Sequence, residues 1–236
     1  MAEDILDMMR EEFQHRIRSD PTIMEIRDLI NAGAEYPEAE KYATRAGQLL
    51  SEVMKEYISP DLFAQLGKIE PAELAHYITP MLNQGYDYVS AATMTVQKFM
   101  NSKFGVGLQA VASEFDHSAA MNIVGKMCEY ENFEDSLFML DEPIVQNLLQ
   151  VVTDTMHENL QKQSDFGLDV FVVRKAEAGA CPWCRGLAGT YEYSEVSSKG
   201  EDVWRRHNDC RCEITYNMGD FYSETVQNYR YRRIRG

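Results

Sequence analysis

Four of the chain's five cysteines fall between positions 181 and 212, first as Cys181-Pro182-Trp183-Cys184 and then as His207-Asn208-Asp209-Cys210-Arg211-Cys212. A Cys-x-x-Cys turn directs two sulfurs at one point, and His207-x-x-Cys210 or Cys210-x-Cys212 can supply a second chelating pair. Those residue types at that spacing are what a tetrahedral zinc ion takes from a chain. The candidate ligands are Cys181, Cys184, His207, Cys210 and Cys212, five for four places, with Cys181, Cys184, His207 and Cys210 the first choice and Cys212 close behind. A full set of protein ligands leaves no coordination position for water, so the expected ion is structural: it folds its surroundings and does no chemistry. No catalytic residue is expected.

Other chemistries use parts of the same pattern. Cys-Pro-Trp-Cys after a strand is similar to the glutaredoxin active site, where the first thiolate sits at a helix N-terminus. That site needs a helix continuing past the second cysteine, whereas Gly186 and Gly189 interrupt the chain here. A zinc deaminase wants His-x-Glu upstream and Pro-Cys-x-x-Cys, against the His157-Glu158 and Ala180-Cys181 found here. A nuclease of the His-Asn-His kind would use His207-Asn208 but lacks an evident second catalytic His or acid. His15, His76, His117 and His157 stand singly in helical segments and read as surface or satisfied core positions, and Cys128, beside Val124 and Met127, reads as a small core residue.

The elements that must position the cluster are of two kinds. Up to about residue 165 the pattern is helical. Asp20-Pro21 supplies an N-cap and a first-turn proline ahead of Ile23, Ile26 and Ile30, and Pro37 opens a segment whose stripe is Tyr42, Ala46, Leu49, Leu50, Val53, Met54 and Tyr57. Ser59-Pro60 and Thr79-Pro80 repeat the signature, so each proline is expected to restart a helix. Leu108, Val111, Ala112 and Phe115 begin another amphipathic segment, Ile123, Val124 and Met127 the next, and Asp141-Glu142-Pro143 opens the last long one. Seven or eight helices are expected. From Leu168 the grammar changes: Val170-Phe171-Val172-Val173-Arg174 is a β-branched, aromatic run, Tyr191-Glu192-Tyr193 alternates, and Cys210, Cys212, Ile214 and Tyr216 share one strand face. The expected fold is mainly α: a multi-helix body over residues 1–167, a small C-terminal β-rich zinc-binding module over 168–217 and a Tyr/Arg-rich tail over 218–236.

Composition narrows the setting. The net charge is −15, but residues 1–170 hold 12 Lys and Arg against 29 Asp and Glu, while residues 171–236 hold 11 against 9. An acidic body repels nucleic acid at long range. The acids in Met1-Ala2-Glu3-Asp4 do not suit a signal peptide, and no apolar run approaches the ~18 residues of a membrane span, so a reducing cytosol is expected, where clustered cysteines favour metal over disulfides. The basic tail, with Arg230, Arg232, Arg233 and Arg235, can grip phosphates, dock in an acidic groove of another protein, or simply be solvated.

Cys-x-x-Cys-x-x-Leu-x-Gly-Thr-Tyr, from Cys181 to Tyr191, followed by Arg206-His207-Asn208-Asp209-Cys210-Arg211-Cys212-Glu213-Ile214-Thr215, resembles the C-terminal part of phage minor head proteins, the head-morphogenesis family related to protein F of phage Mu. Many members of that family carry His-Pro-x-Cys; Asn208 stands in the proline's place. The resemblance covers residues 168–216 and implies a non-enzymatic minor capsid component, present in several copies in the virion head and made in the host cytoplasm. It further implies contacts with the portal or major capsid protein, a part in head assembly or DNA delivery, and no membrane. Packaged DNA could be met through Arg230, Arg232, Arg233 and Arg235. The alternative is a cytosolic zinc- or thiol-dependent enzyme, a nuclease or a redox protein.

Overall fold

The computed structural model describes residues 2–58, 70–207 and 210–219, with side chains from residue 5 onward. Among them are seven α-helices and one three-stranded sheet, so the fold is mainly α with a small C-terminal β module. The helices are α1 (Ala2–Ser19), α2 (Pro21–Gly33), α3 (Tyr36–Tyr57), α4 (Pro71–Lys103), α5 (His117–Cys128), α6 (Glu142–Asp165) and the short α7 (Pro182–Gly186).

Local chemistry explains most of the boundaries. The Asp20 carboxylate accepts the Ile23 amide at 2.9 Å, Pro21 fills the first turn, and Ile23, Ile26 and Ile30 are buried. In α3 the residues from Tyr42 to Met54 of the expected stripe are buried against α6 and α4. Close approach of α3 to α6 requires Gly47: a Cβ there would stand 2.8 Å from Val145 Cα.

Three expectations along the chain meet different outcomes. Pro80 does not restart a helix; it lies inside α4, which begins at Pro71 behind Glu70, where Glu70 and Glu73 form a reciprocal capping box. Thr79 therefore is no cap, and its buried hydroxyl has no hydrogen-bond partner among the described residues. The segment from Leu108 to Phe115 is not helical, because side chains of α6 take its backbone groups: Asn159 accepts from Val111 N at 3.0 Å and donates to Val111 O at 2.6 Å, and Thr155 accepts from Ser113 N at 3.3 Å. Ser59-Pro60 lies outside the described residues, as does the tail from residue 220. A 3-10 helix over Phe133–Leu140 joins α5 to α6.

Strands β1 (Val170–Lys175), β2 (Gly189–Glu192) and β3 (Glu213–Met218) form an antiparallel sheet in the order β2-β1-β3. Val172 pairs with Tyr191 on one side and Tyr216 on the other. Val170, Val172, Ile214, Tyr216 and Trp204 join the helical residues in one continuous apolar core.

Candidate metal centre

Each donor is delivered by a different device. Cys181 occupies the N-cap of α7, and its sulfur accepts the Cys184 amide at 3.4 Å; one turn of helix then points Cys184 inward. Pro182 fits the first turn, and the helix stops at Gly186. A 3-10 turn over Asp202–Trp204, pinned by the Trp204 indole donating to Val196 O at 2.6 Å, carries the chain to His207. Cys210 and Cys212 precede β3 and are both buried.

All five sequence-selected residues come together. His207 Nε2 lies 3.0 Å from Cys184 Sγ and 3.3 Å from Cys181 Sγ, and Cys184 Sγ lies 3.7 Å from Cys210 Sγ. The donor atoms form two triads, each within 4.8 Å internally: Cys181, Cys184 and His207 towards solvent, and Cys184, Cys210 and Cys212 in the interior. Cys184 belongs to both. No disulfide links these cysteines. Cys128, the fifth cysteine, is partly buried against the helical core, away from the cluster.

The thiols differ in acidity. The Cys184 amide lowers Cys181 to about 7, whereas burial, reinforced by Cys212 and Cys210, pushes Cys184 up to about 12. Burial also opposes ionisation of Cys210, but the Cys212 amide and the Arg206 charge outweigh it and its pKa falls. Such a donor set, free sulfurs and an imidazole at metal-binding distance, can hold a metal ion.

Two residues that chemical spacing did not single out complete the site. Arg174, 1% exposed, reaches the sulfurs of Cys184 and Cys210 from β1 at 3.7 and 3.8 Å. Its signal was strand phase: Arg174 continues the buried face of Val170 and Val172. Arg206 donates to Cys212 O at 2.6 Å and pairs with buried Glu40 of α3, whose carboxylate also accepts the Ile214 amide at 3.1 Å. Burial raises the Glu40 pKa despite these partners. Arg211 makes a bidentate pair with Glu142 at 2.7 and 2.9 Å, so the β module is fastened to the first turn of α6 as well.

A groove of about 740 Å³ runs between α2, α3 and the start of β3. Its cations are engaged: Arg45 with Asp20, Lys41 with Glu38, Arg206 with Glu40, Lys175 with Glu213 and Arg211 with Glu142. No helix among the described residues is long and apolar enough to cross a membrane. No protein-family model, no curated protein and no solved structure matches the chain.

Proposed function

We propose that the chain is a non-enzymatic structural protein in which one zinc ion rigidifies the β module on the helical body, and that it is a minor capsid component of a phage head. The observation that carries the metal reading is the convergence of Cys181, Cys184, His207, Cys210 and Cys212 around Cys184. Zinc–sulfur and zinc–nitrogen bonds of about 2.3 and 2.0 Å place neighbouring tetrahedral donors roughly 3.5–3.8 Å apart. The Cys184–Cys210 contact of 3.7 Å matches that scale, and the His207 contacts of 3.0 and 3.3 Å are shorter than it. Zinc bound there would supply cross-linking, with no open position for a reacting water.

The head assignment rests on the motif from Cys181 to Tyr191 and from Arg206 to Thr215. In this reading the protein sits at the portal or head interior, contacts portal or capsid protein, and acts in head assembly or DNA delivery. A role for Arg230, Arg232, Arg233 and Arg235 on packaged DNA belongs to the same proposal. The test has two arms. Elemental analysis of the purified protein is expected to give about one zinc per chain, and proteomics of purified virions of the encoding phage is expected to find the chain. Absence from virions would remove the head assignment and leave the metal centre standing.

One observation favours a second reading. Cys181, with its thiol lowered to about 7 at the start of a helix, has the character of a redox nucleophile. Against it, α7 ends at Gly186 and His207 contacts both sulfurs. A metal-free protein with a reversibly oxidised Cys181–Cys184 pair would make this reading the leading one.

A further inference from the structure

Arg174 poses an electrostatic problem that the metal reading solves. Its guanidinium is buried and carries a positive charge. Among the described residues no carboxylate pairs with it. Nη1 donates to the carbonyls of Asp202, Val203 and Arg205 at 3.2, 2.7 and 2.8 Å. Nη2 faces the sulfurs of Cys184 and Cys210, and the Trp183 ring centre lies 5.4 Å from the guanidinium carbon. Nε is buried without a partner among the described residues, so the group is not placed to satisfy all of its own donors.

Carbonyl dipoles and a ring face soften a buried cation but do not neutralise it, and an unpaired buried charge costs several kcal/mol. The groups at its Nη2 that can carry the missing negative charge are Cys184 and Cys210. A zinc centre with three thiolates and a neutral imidazole, or with four thiolates, carries net negative charge, and a guanidinium against its buried side offsets it. The same six contacts join three separate pieces of chain: the α7 turn through Trp183 and Cys184, the segment from Asp202 to Arg205 that leads to His207, and Cys210.

We propose that Arg174 is the positioning residue of the metal centre, neutralising the Cys184 and Cys210 thiolates while clamping the α7 turn to the segment that delivers His207. This rests on the metal reading above. Lysine in its place keeps the charge but cannot span three carbonyls and two sulfurs; methionine fills the space and keeps neither.

The experiment compares full-length wild type, Arg174→Lys and Arg174→Met. It measures zinc affinity by chelator competition, the absorption of the cobalt-substituted protein, and unfolding in zinc-loaded and stripped forms. Outer-shell partners of metal ligands typically change affinity about 10- to 100-fold. Weakening near the lower end is expected for Arg174→Lys and near the upper end for Arg174→Met, with a shifted sulfur-to-cobalt band in both. The stability loss should be larger in the loaded form than in the stripped form, because weaker binding subtracts from the loaded state alone. Should Arg174→Met fail to fold, Arg174→Lys carries the comparison. Wild-type affinity in a folded variant, or equal stability losses with and without zinc, overturns the proposal while leaving the metal reading intact. A wild type that takes up no zinc sinks both.

Discussion

On the proposed zinc reading, five candidate donors for four places make the individual residues unequal. Cys184 belongs to both triads, so its removal leaves Cys181 with His207 on one side and Cys210 with Cys212 on the other. Neither remaining pair can close a tetrahedron alone. Cys184→Ser is therefore expected to lose stoichiometric zinc after gel filtration, whereas at least one of Cys181→Ser, His207→Ala and Cys212→Ser keeps it, because a fifth donor can take the vacant place. Retention of about one zinc per chain by Cys184→Ser would show that the two triads do not share an ion. Residue types and spacing were enough to pick out the five residues that the structure gathers into the two triads. They could not reveal the shared position of Cys184, which depends on α7 turning its sulfur inward while Cys181 stays at the cap. Nor did they reveal Arg174, since an arginine closing a strand reads as a solvated end until its phase with Val170 and Val172 is followed.

At the scale of elements, the sequence was most legible where a first-turn proline and apolar phase agree, as at Asp20-Pro21 before α2 and at Glu142-Pro143 in the first turn of α6. It misled where tertiary partners override a local signal. Pro80 sits mid-helix in α4, which packs against both α3 and α6, and the Val111 stretch stays non-helical because Asn159 satisfies its backbone. The same helix α6 carries His157, whose Nε2 donates to Ser197 O at 2.8 Å and whose ring packs against Tyr193 and Trp204. Burial lowers its pKa below the ordinary 6.5, against the pull of the Ser197 carbonyl. The unfolded chain therefore takes up a proton before the folded one does. The contribution of His157 is complete above about pH 6.5 and is lost as pH falls from there towards the lower folded value. The difference in unfolding free energy between wild type and His157→Gln should shrink from pH 7.5 to pH 5.5, as followed by urea titration at each pH. Other titrating groups are common to both proteins and largely cancel in that difference. A gap that stays constant across the range would mean that His157 is not held neutral by the fold.

At the scale of the whole molecule, the question is whether the β module melts on its own. Three features argue that it does not: the apolar core runs without a break from the helices to Val172, Ile214 and Tyr216; Arg211 grips Glu142; and Arg206 is buried on Glu40. A polar network repeats the connection, with Gln97 of α4 donating to Tyr216 OH at 2.9 Å and to Asn101 Oδ1 at 2.7 Å. The raised pKa of Glu40 says that burial is only partly offset by Arg206 and the Ile214 amide, so the pair is strongly interdependent. Removing one member strands the other, at a typical cost of about 3–5 kcal/mol. Both tryptophans, Trp183 and Trp204, lie in the β module, while far-UV dichroism is dominated by the helices, so two probes report on the two parts separately. In the zinc-loaded protein, urea transitions by fluorescence and by dichroism are expected to coincide. Glu40→Leu should then move both midpoints down together, by roughly 3 kcal/mol or more of unfolding free energy. If Glu40→Leu moved the fluorescence transition alone, the module would be a docked unit with a stability of its own. The proposed metal centre would then order that unit without bracing the helices.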